Sequence, residues 1–532
     1  MTNTTATAER VWSKQQEAIF DWFAKGTGSL TVRARAGTAK TTSLLEGIDR
    51  APEARILCCA FNKKIADELQ ARIHNPRAEA KTMHSLGFGL IMRNWSGVQV
   101  DKKGERPFAL AQRATDGRAA DQIVALVGRL CEMAKQVVPF AKTWNELIAV
   151  AREYDLEPEA DWDDDLEPCG CRCPDAAQDQ SCTKCGHEGY QGVVCGEQVQ
   201  KYTTSKICQW AHKAMELSKE KTAVITFTDM LWLPLVHGWV QAKYDLVVID
   251  ELQDLNAAQV ELACRSCRPG GRLVGLGDDR QGIYAGRGAV ADVLDVVKDR
   301  WKAHELPLTI TWRCPKAVVA MAKRIVPDYE AAPQAPEGQV IDLPLDKALE
   351  LTVPGDFVVS RLNAPLVRVC LSILRRGVRA NIEGRDVGAG LVALVRKLKG
   401  RSMVDFLQKL QKWEERETNR ARASKNERKE AEVHDKAMTL EFLAEGLSGV
   451  SELEARICSL FTDDDHGRAG RVTCSSVHRI KGLEADRVFV LRDTMYPGKK
   501  GHAKIEEQNI DYVAITRAKK VLYQVHGLPG KA

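Results

Sequence analysis

Long apolar segments are missing from this chain. Of its 532 residues, 44% are hydrophobic and 28% are charged, which is typical of ordinary globular domains. The most apolar stretch, 230–240, is shorter than the roughly 20 residues that a membrane-spanning helix needs, and it contains Pro234 and His237. The first segment, MTNTTATAER, lacks the basic start and apolar stretch of a secretory signal. We therefore expect a cytoplasmic protein without a membrane partner.

A strong net charge is also absent. The formal charge is +5, so any contact with nucleic acid must come from local basic surface rather than from a global positive field.

Cysteine is plentiful, with 16 residues. In a reducing compartment, clustered thiols indicate a metal site and scattered thiols indicate core packing. The chain is too long for one hydrophobic core, and its length predicts roughly three to four units of domain size.

Short apolar runs, each followed by a polar turn and a helical pattern, predict parallel α/β sheets. Four runs in the N-terminal half fit buried strands, at 30–34, 55–60, 246–249 and 272–276. Four runs of the same character follow in the C-terminal half, at 356–360, 472–475, 487–491 and 521–525. The pattern predicts an α/β protein with two parallel-sheet domains.

Two interruptions of the strand pattern predict mainly helical insertions. The first carries helical periodicity, an acidic run and a cysteine cluster, and the second is rich in Lys, Arg and Glu. For the second, a solvated surface helix and a DNA-contacting helix both remain open. The predicted bounds are 1–93 and 206–307 for the first sheet domain, 94–205 for its insertion, 308–396 and 455–532 for the second sheet domain, and 397–454 for its short helical insertion.

The segment TVRARAGTAKTTSLLEG has the layout of a phosphate-binding loop between a strand and a helix. Backbone N–H groups and the helix N-terminus can hold phosphates, Lys40 can reach the β- and γ-phosphates, and the Thr41 hydroxyl can hold Mg²⁺. Ala34 and Ala39 stand where the general motif has glycines. Taken alone, the segment fits an ordinary strand-to-helix turn equally well.

The segment YDLVVIDELQD places two acids directly after a probable buried strand. Open parallel sheets bind ligands at the carboxyl ends of their strands. Asp250 is a candidate Mg²⁺ ligand, and Glu251 is a candidate base for the water that attacks the γ-phosphate. The alternative is an acidic helix cap, which becomes less favourable once the lysine loop is considered with it.

Further motifs follow in the order of superfamily 1A DNA helicases of the UvrD/Rep type. The chain resembles this family from near residue 12 to near residue 520, and it looks closest to compact phage-type or F-box-helicase-like members. The resemblance implies two RecA-like domains that use ATP and Mg²⁺ to move 3′→5′ on single-stranded DNA. Hydrolysis would require closure of the cleft between the two domains.

The resemblance also implies the nucleotide-binding residues. Gln15 in WSKQQEAIF would read adenine, and Trp312 in TWRCP would stack on the adenine ring. Glu484 in SSVHRIKGLEADRVFVL would lie near the ribose. The phosphate loop would comprise Ala36, Gly37, Thr38, Ala39, Lys40, Thr41 and Thr42. Ala39 replaces the family's usual glycine, and its methyl group would restrict the loop and slow turnover.

Three further residues would complete catalysis if the resemblance holds. Gln281 in GDDRQGIYAGRGA would sense the γ-phosphate, Arg313 would contact it, and Arg517 in YVAITRAKK would act as an arginine finger. Each arginine alone is more often part of a surface ion pair. Together, they would allow one domain to complete a catalytic site on the other.

The single-strand path in relatives is lined by other motifs, of which this chain carries AFNKKIADEL, TMHSL and SSVHRIKGLE. A lone histidine is more often structural than functional, so the resemblance carries this assignment. The candidate DNA-binding residues are Phe61, Asn62, Thr82, His84, Tyr284, His478 and Lys481. Tyr284 could stack on a base, whereas Gly286 stands where relatives carry Trp or Phe.

Six cysteines and one histidine lie within residues 169–195. This density predicts a metal site, with zinc favoured and an iron–sulfur cluster as the alternative. A redox-prone loop without metal is the remaining interpretation. The candidate ligands are Cys171, Cys173, Cys182 and Cys185, with Cys169, His187 and Cys195 as alternates. The other cysteines in apolar patterns, Cys458 among them, are predicted to lie in the core.

The leading function is an ATP-dependent DNA helicase or translocase acting in repair, replication or recombination. Its partners would be single-stranded DNA and DNA junctions with single-stranded tails, and it would be a monomer or weak oligomer. One alternative is a nucleotide-gated DNA-binding or protein-displacing module with weak ATPase activity, because Ala39 and Gly286 depart from the family. An RNA helicase is a further alternative.

Overall fold

The apolar runs of the sequence become the inner strands of two parallel sheets. The computed structural model describes residues 11–60, 62–158, 202–283, 293–423, 427–463, 468–495 and 502–528. Its strands in chain order are β1 (Leu30–Ala34), β2 (Ile56–Ala60), β3 (Ala78–Thr82), β4 (Gln99–Val100), β5 (Val224–Ile225), β6 (Tyr244–Ile249), β7 (Cys267–Gly277), β8 (His304–Leu308), β9 (Ile310–Thr311), β10 (Glu330–Ala331), β11 (Gln339–Pro344), β12 (Phe357–Ser360), β13 (Ala380–Ile382), β14 (Val472–Ser476), β15 (Ala485–Leu491) and β16 (Ala518–His526).

Helices connect and cover these strands. In chain order they are α1 (Lys14–Lys25), α2 (Lys40–Arg50), α3 (Lys63–Arg72), α4 (Met83–Asn94), α5 (Arg106–Ala114), α6 (Asp121–Val137), α7 (Glu146–Glu153), α8 (Thr204–Ser218), α9 (Phe227–Val236), α10 (Ala257–Ser266), α11 (Val293–Trp301), α12 (Lys316–Ala322), α13 (Leu345–Leu351), α14 (Asn363–Arg375), α15 (Arg385–Leu398), α16 (Met403–Ala423), α17 (Glu427–Ala444), α18 (Val450–Leu460), α19 (Val477–Ile480) and α20 (His502–Ile515). Across the described ranges, none of them is long and apolar enough to cross a membrane.

Each sheet has six parallel strands. The first has the order β3-β2-β6-β7-β1-β8, and the second has the order β11-β16-β15-β12-β14-β13. In the first sheet, β1 pairs with β7 and β8, so the phosphate loop that follows β1 emerges near the edge strand. All eight apolar runs are strands, and they are the inner strands of the two sheets. The prediction of two parallel-sheet domains is confirmed.

Side chains from both faces of each sheet form the cores. Ile19, Phe20 and Phe23 of α1 pack with β1, β2 and α2 on the first sheet. This helix begins at a capping box, in which the Ser13 hydroxyl accepts from the Gln16 N–H and the Gln16 side chain accepts from the Ser13 N–H. The second sheet has one cluster with α14 to α18 and another with α12, α19 and α20.

The chain divides into two compact units. Residues 1–83, 241–256 and 263–532 form the larger unit, which contains both sheets. Residues 84–240 and 257–262 form the smaller unit, whose core is helical and whose β4 and β5 form a two-stranded sheet. The domain bounds inferred from the sequence remain a prediction.

Cys458 is exposed on α18, so its predicted place in the core is wrong. The apolar face of this helix is formed by Leu453, Ile457 and Leu460 instead.

Candidate nucleotide-binding site

The phosphate loop runs from the end of β1 at Ala34 to the start of α2 at Lys40. Ala39 has φ 60° and ψ 39°, the left-handed conformation that glycine adopts most easily. Inside the loop, the buried Thr38 hydroxyl donates to the Arg35 carbonyl at 2.9 Å. Because α2 has no side-chain cap, its first N–H groups are suited to receive an anion.

Lys40 meets the two acids that follow β6. Its Nζ lies 3.0 Å from Glu251 Oε1, and Asp250 accepts hydrogen bonds from the Thr41 hydroxyl and the Glu251 N–H. Glu251 has φ 51°, a second left-handed residue in the site. Thr42 is half-buried on the first turn of α2. The lysine, the threonine hydroxyl and both acids therefore lie together at the carboxyl ends of β1 and β6, between which β7 runs in the sheet.

The two acids have opposite electrostatic settings. Burial raises the pKa of Asp250, and the neighbouring Glu251 charge raises it further. Burial opposes ionisation of Glu251 as well, but Lys40 and Lys481 outweigh it and lower the pKa of that carboxyl. The opposed shifts separate the two carboxyls: a bound cation would favour the ionised form of Asp250, and Glu251 is held ionised, which is the form that can accept a proton.

Gln281 is buried behind this pair. Its side-chain amide donates to Asp278 Oδ2 at 2.7 Å, and Asp278 in turn accepts from Arg35 at 3.2 Å. Lys481 donates to Asp254 at 2.6 Å and to the Gln281 carbonyl at 2.8 Å. Burial raises the pKa of Asp254 to about 6, although the Lys481 charge opposes this shift. The loop after β7 is thus joined to the segment after β6 and to the second sheet domain.

Two arginines from the C-terminal half of the chain lie near the loop. The Trp312 N–H donates to the Gly37 carbonyl at 2.9 Å, and a Cβ on Gly37 would lie 2.6 Å from Arg313 Cβ. Arg313 is paired with Glu484 at 2.5 Å. Arg517 is fully buried and donates to the Val513 carbonyl at 2.9 Å. Burial and the nearby Arg313 charge lower the pKa of Arg517, which means that an anion at this point would be favourable.

The donor set fits a magnesium-bound triphosphate. Thr41 and Asp250 supply the hard oxygen ligands that Mg²⁺ prefers, and Lys40 and Arg313 are cations for phosphate oxygens. The absence of a side chain at Gly37 allows Arg313 and Thr311 to approach the loop closely. This arrangement can bind a nucleotide and hold a water near Glu251 for attack on its terminal phosphate.

Comparison with known proteins decides the family. A model of the UvrD/REP helicase N-terminal domain matches residues 12–302, and a model of the UvrD-like helicase C-terminal domain matches residues 390–526. The chain belongs to the UvrD/Rep helicase family. This confirms the resemblance inferred from the motifs.

Individual relatives are distant in sequence. F-box DNA helicase protein 1 of Schizosaccharomyces pombe is 23% identical over 530 residues, covering 93% of this chain and 55% of that protein. DNA helicase IV of Escherichia coli is 23% identical over 57% of this chain and 45% of its own length. The ATP-dependent DNA helicase PcrA of Bacillus subtilis is 24% identical over 59% of this chain and 39% of its own length. The chain spans about half the length of these relatives.

Two nucleotide-site expectations for a UvrD/Rep helicase concern the base and the ribose. Gln15 forms two hydrogen bonds of 2.9 Å with Thr309, through the side-chain hydroxyl and the backbone N–H. Trp312 is 39% exposed, so its ring is accessible for stacking. Glu484 contacts Arg313 rather than standing alone. The structure brings these residues to the loop, and their contacts with nucleotide remain a prediction.

The expected DNA-binding residues have diverse settings. Asn62 accepts from the Ile65 N–H and so caps α3, and Thr82 is the half-buried last residue of β3. The His84 ring lies 6.1 Å from Phe227, and burial lowers its pKa. His478 lines a cavity of about 1370 Å³ beside the second sheet. Lys481 lies among groups of the nucleotide site, as described above, where DNA could reach it only if those contacts opened.

Several predictions concern residues outside the described ranges. They are Phe61, Tyr284 and the cysteine-rich segment with Cys169, Cys171, Cys173, Cys182, Cys185, His187 and Cys195. Within the ranges that are described, no cluster of three or more His, Cys, Asp or Glu side chains could hold a metal ion. The metal site stays a prediction from the sequence.

Sequence reasoning missed residues that hold the site together. Arg35 bonds Asp278, Asp279 and Asp328, and burial opposed by these carboxylates leaves its pKa raised. A signal was present, since the RAR and GDD triplets lie within the quoted motifs. Tyr512 likewise lies within the quoted motif YVAITRAKK, whereas Tyr329 lies in none, and only the fold brings both tyrosines to the loop.

Proposed function

We propose that this UvrD/Rep helicase is an ATP-dependent motor on single-stranded DNA. The observation that carries the proposal is the meeting of Lys40 and Glu251 with Arg313 of the second sheet domain around one loop. A magnesium ion held by Thr41 and Asp250 would shield the charge of the phosphates. Lys40 and Arg313 would bind phosphate oxygens, and Glu251 would accept the proton of the attacking water.

Because the arginines belong to the second sheet domain, hydrolysis would depend on how that domain contacts the loop. Binding and release of nucleotide would then change the grip of the two domains on one strand. We propose movement in the 3′→5′ direction, on single strands and on junctions with single-stranded tails, by a monomer or weak oligomer. Family membership supports a DNA substrate, and no observation favours RNA. Repair, replication or recombination in the cytoplasm would be its setting.

The decisive experiment measures ATP hydrolysis with and without single-stranded DNA. Wild type should be stimulated by DNA, and Lys40→Ala should lose about 100-fold or more of the stimulated rate. Lys25→Ala, an exposed lysine at the end of α1, is the matched control and should keep it. Turnover indifferent to DNA would contradict the motor, and stimulation by RNA alone would favour the RNA alternative. Duplexes with 3′ or 5′ tails would then test direction.

A nucleotide-gated module with weak ATPase activity is the second candidate. The left-handed Ala39 favours it, since a methyl group at this position restrains the loop. It predicts tight binding of ATP with little turnover, and recovery of turnover in Ala39→Gly. Rapid turnover by wild type would exclude this candidate.

We also propose a zinc site in the segment 169–195, with Cys171, Cys173, Cys182 and Cys185 as ligands and an iron–sulfur cluster as the alternative. Support comes from the sequence spacing alone. Elemental analysis should find about one zinc per chain, lost in Cys182→Ser with Cys185→Ser. Cys264→Ser is the matched control. Folded wild-type protein without zinc or iron would contradict the proposal.

A further inference from the structure

Three consecutive residues of the phosphate loop are held by residues from the C-terminal half of the chain. Arg35 is paired with Asp328 at 2.9 Å, and the Gly37 carbonyl accepts from the Trp312 N–H at 2.9 Å. Between them, the methyl group of Ala36 packs in the apolar cluster that α12, α19 and α20 form on the second sheet. The first half of the loop is therefore supported by residues far from it in sequence.

Ala36 is bound through both of its backbone polar groups. Its N–H donates to the Tyr512 hydroxyl at 2.9 Å, and its carbonyl accepts from the Tyr329 hydroxyl at 2.9 Å. Both tyrosines are fully buried, and their rings meet edge to face with centroids 5.6 Å apart. Two hydroxyls thus hold opposite sides of one loop residue.

The chemistry of the two hydroxyls suits this role. Burial raises the pKa of Tyr329 and of Tyr512 well above the ordinary value, so both hydroxyls remain neutral donors and acceptors. A buried N–H group without an acceptor is strongly unfavourable, whereas an exposed one bonds to water. The bonds at Ala36 therefore favour the arrangement in which the second sheet domain covers the loop.

We propose that Tyr329 and Tyr512 form a hydroxyl clamp that positions the phosphate loop from the second sheet domain. The loop would reach its phosphate-binding form only when the two sheet domains are together. The clamp rests on the proposed nucleotide site and adds to it two positioning residues that touch neither nucleotide nor DNA. It also explains how a loop with a left-handed alanine at residue 39 can be kept in shape, since its first half is held from outside.

The experiment deletes one hydroxyl at a time and leaves each ring in place. Tyr512→Phe leaves the buried N–H of Ala36 unpaired, and it should weaken binding of a non-hydrolysable ATP analogue with Mg²⁺ by about 5- to 150-fold. Tyr329→Phe leaves the Ala36 carbonyl unpaired and also removes the hydroxyl's bonds with Cys314 and Thr311. Because proteins tolerate an unpaired carbonyl better than an unpaired N–H, its effect on analogue binding should be smaller. Tyr523→Phe is the matched control: this ring stacks on Phe489 in the same sheet domain, and analogue binding should be unchanged.

Calorimetry would give the affinities, and the thermal midpoint without nucleotide would be measured on each full-length variant. Weaker analogue binding in the order Tyr512→Phe, Tyr329→Phe, Tyr523→Phe supports the clamp. Unchanged affinity in Tyr512→Phe overturns it, including the case in which the midpoint falls, because the hydroxyl would then serve stability alone. Should Tyr512→Phe not fold, Tyr329→Phe decides in the same way. A wild type that binds no analogue overturns the proposed function itself.

Discussion

Two lysines of this chain, the buried Lys135 and the largely buried Lys40, each face a carboxylate in very different surroundings. In the smaller unit, Lys135 lies 2.7 Å from Asp229 and 2.7 Å from Glu132, and Arg106 approaches Asp229 at 3.2 Å. The two positive and two negative charges balance. Asp229 also accepts from the Thr226 N–H at the start of α9, and Lys135 lies over the Trp232 ring. This cluster is complete within the protein.

At the phosphate loop, acids outnumber the lysine. Lys40 contacts Glu251 and also feels the charges of Asp250 and Asp278. Ala39 and Glu251 on either side have left-handed backbones. A bound divalent cation would relieve the excess negative charge, and the two left-handed residues mark the loop as a place of local strain. The comparison teaches that balance and backbone conformation, rather than burial alone, separate a structural ion pair from a functional one.

The largest expected effect comes from changing Glu251, the partner of Lys40 in the nucleotide site. Glu251→Gln should lower the rate of ATP hydrolysis by about 10²- to 10⁴-fold, because an amide cannot accept the proton of the attacking water. Affinity for a non-hydrolysable analogue should be kept. Steady-state kinetics and calorimetry would measure the two quantities. Glu46→Gln changes a half-buried glutamate on α2 that is paired with Arg50; it is the control and should leave both unchanged. A variant with normal turnover would remove Glu251 from catalysis.

Breaking the structural ion pair of Lys135 and Asp229 should lower the stability of the smaller unit. Asp229→Asn leaves the Lys135 charge buried with one partner fewer, which should cost about 3–5 kcal/mol of the local free energy of unfolding. Hydrogen exchange of the α6 and α9 amides would measure it. Asp116→Asn removes an exposed partner of Lys213 in the same unit and should change little. Equal effects of the two variants would show that balance of charge does not explain the cluster.

Lowering the pH should weaken the same cluster of Lys135, Glu132, Arg106 and Asp229, because Asp229 becomes protonated. Burial opposes ionisation of Asp229, but Lys135 outweighs it and lowers the pKa of the carboxyl below its ordinary value. The carboxylate therefore contributes stability above about pH 4, and this stability is lost as the pH falls through the lowered pKa. Protection of α6 and α9 should decline over that range in wild type. In Asp229→Asn this part of the decline should be missing, and an unchanged pH profile would contradict the assignment.

The smallest effect concerns the strain at Ala39. Glycine would remove a left-handed penalty of about 1–2 kcal/mol and would add roughly 0.4–1 kcal/mol of unfolded-chain entropy. Ala39→Gly should therefore tighten analogue binding by a few-fold at most. Ala34→Gly is the matched control, since Ala34 ends β1 and has no such strain, and it should not tighten binding. Weaker binding in Ala39→Gly would mean that the methyl group helps the loop.

Local sequence predicted the parts of the site that lie on single segments. Lys40 and Thr41 follow one apolar run, and Asp250 and Glu251 follow another, so parallel strands had to bring them to one edge. Contacts between distant segments were beyond that reasoning. Lys481 was expected near DNA, yet it bonds Asp254 and the Gln281 carbonyl. Arg35 and the two tyrosines at Ala36 were not anticipated, because nothing within their own segments specifies a partner.

The strands show the same division. The sequence by itself determined the eight inner strands, since a strand covered on both faces must be apolar at successive positions. The edge strands β3, β8, β11 and β13 escaped prediction, and most of their residues are only partly buried or exposed. An edge strand pairs with a neighbour on one side only, and without an unbroken apolar run its sequence does not predict a strand. Only the tertiary structure decided those edges and the contacts that the second sheet domain makes with the loop, because both depend on which distant segment packs alongside.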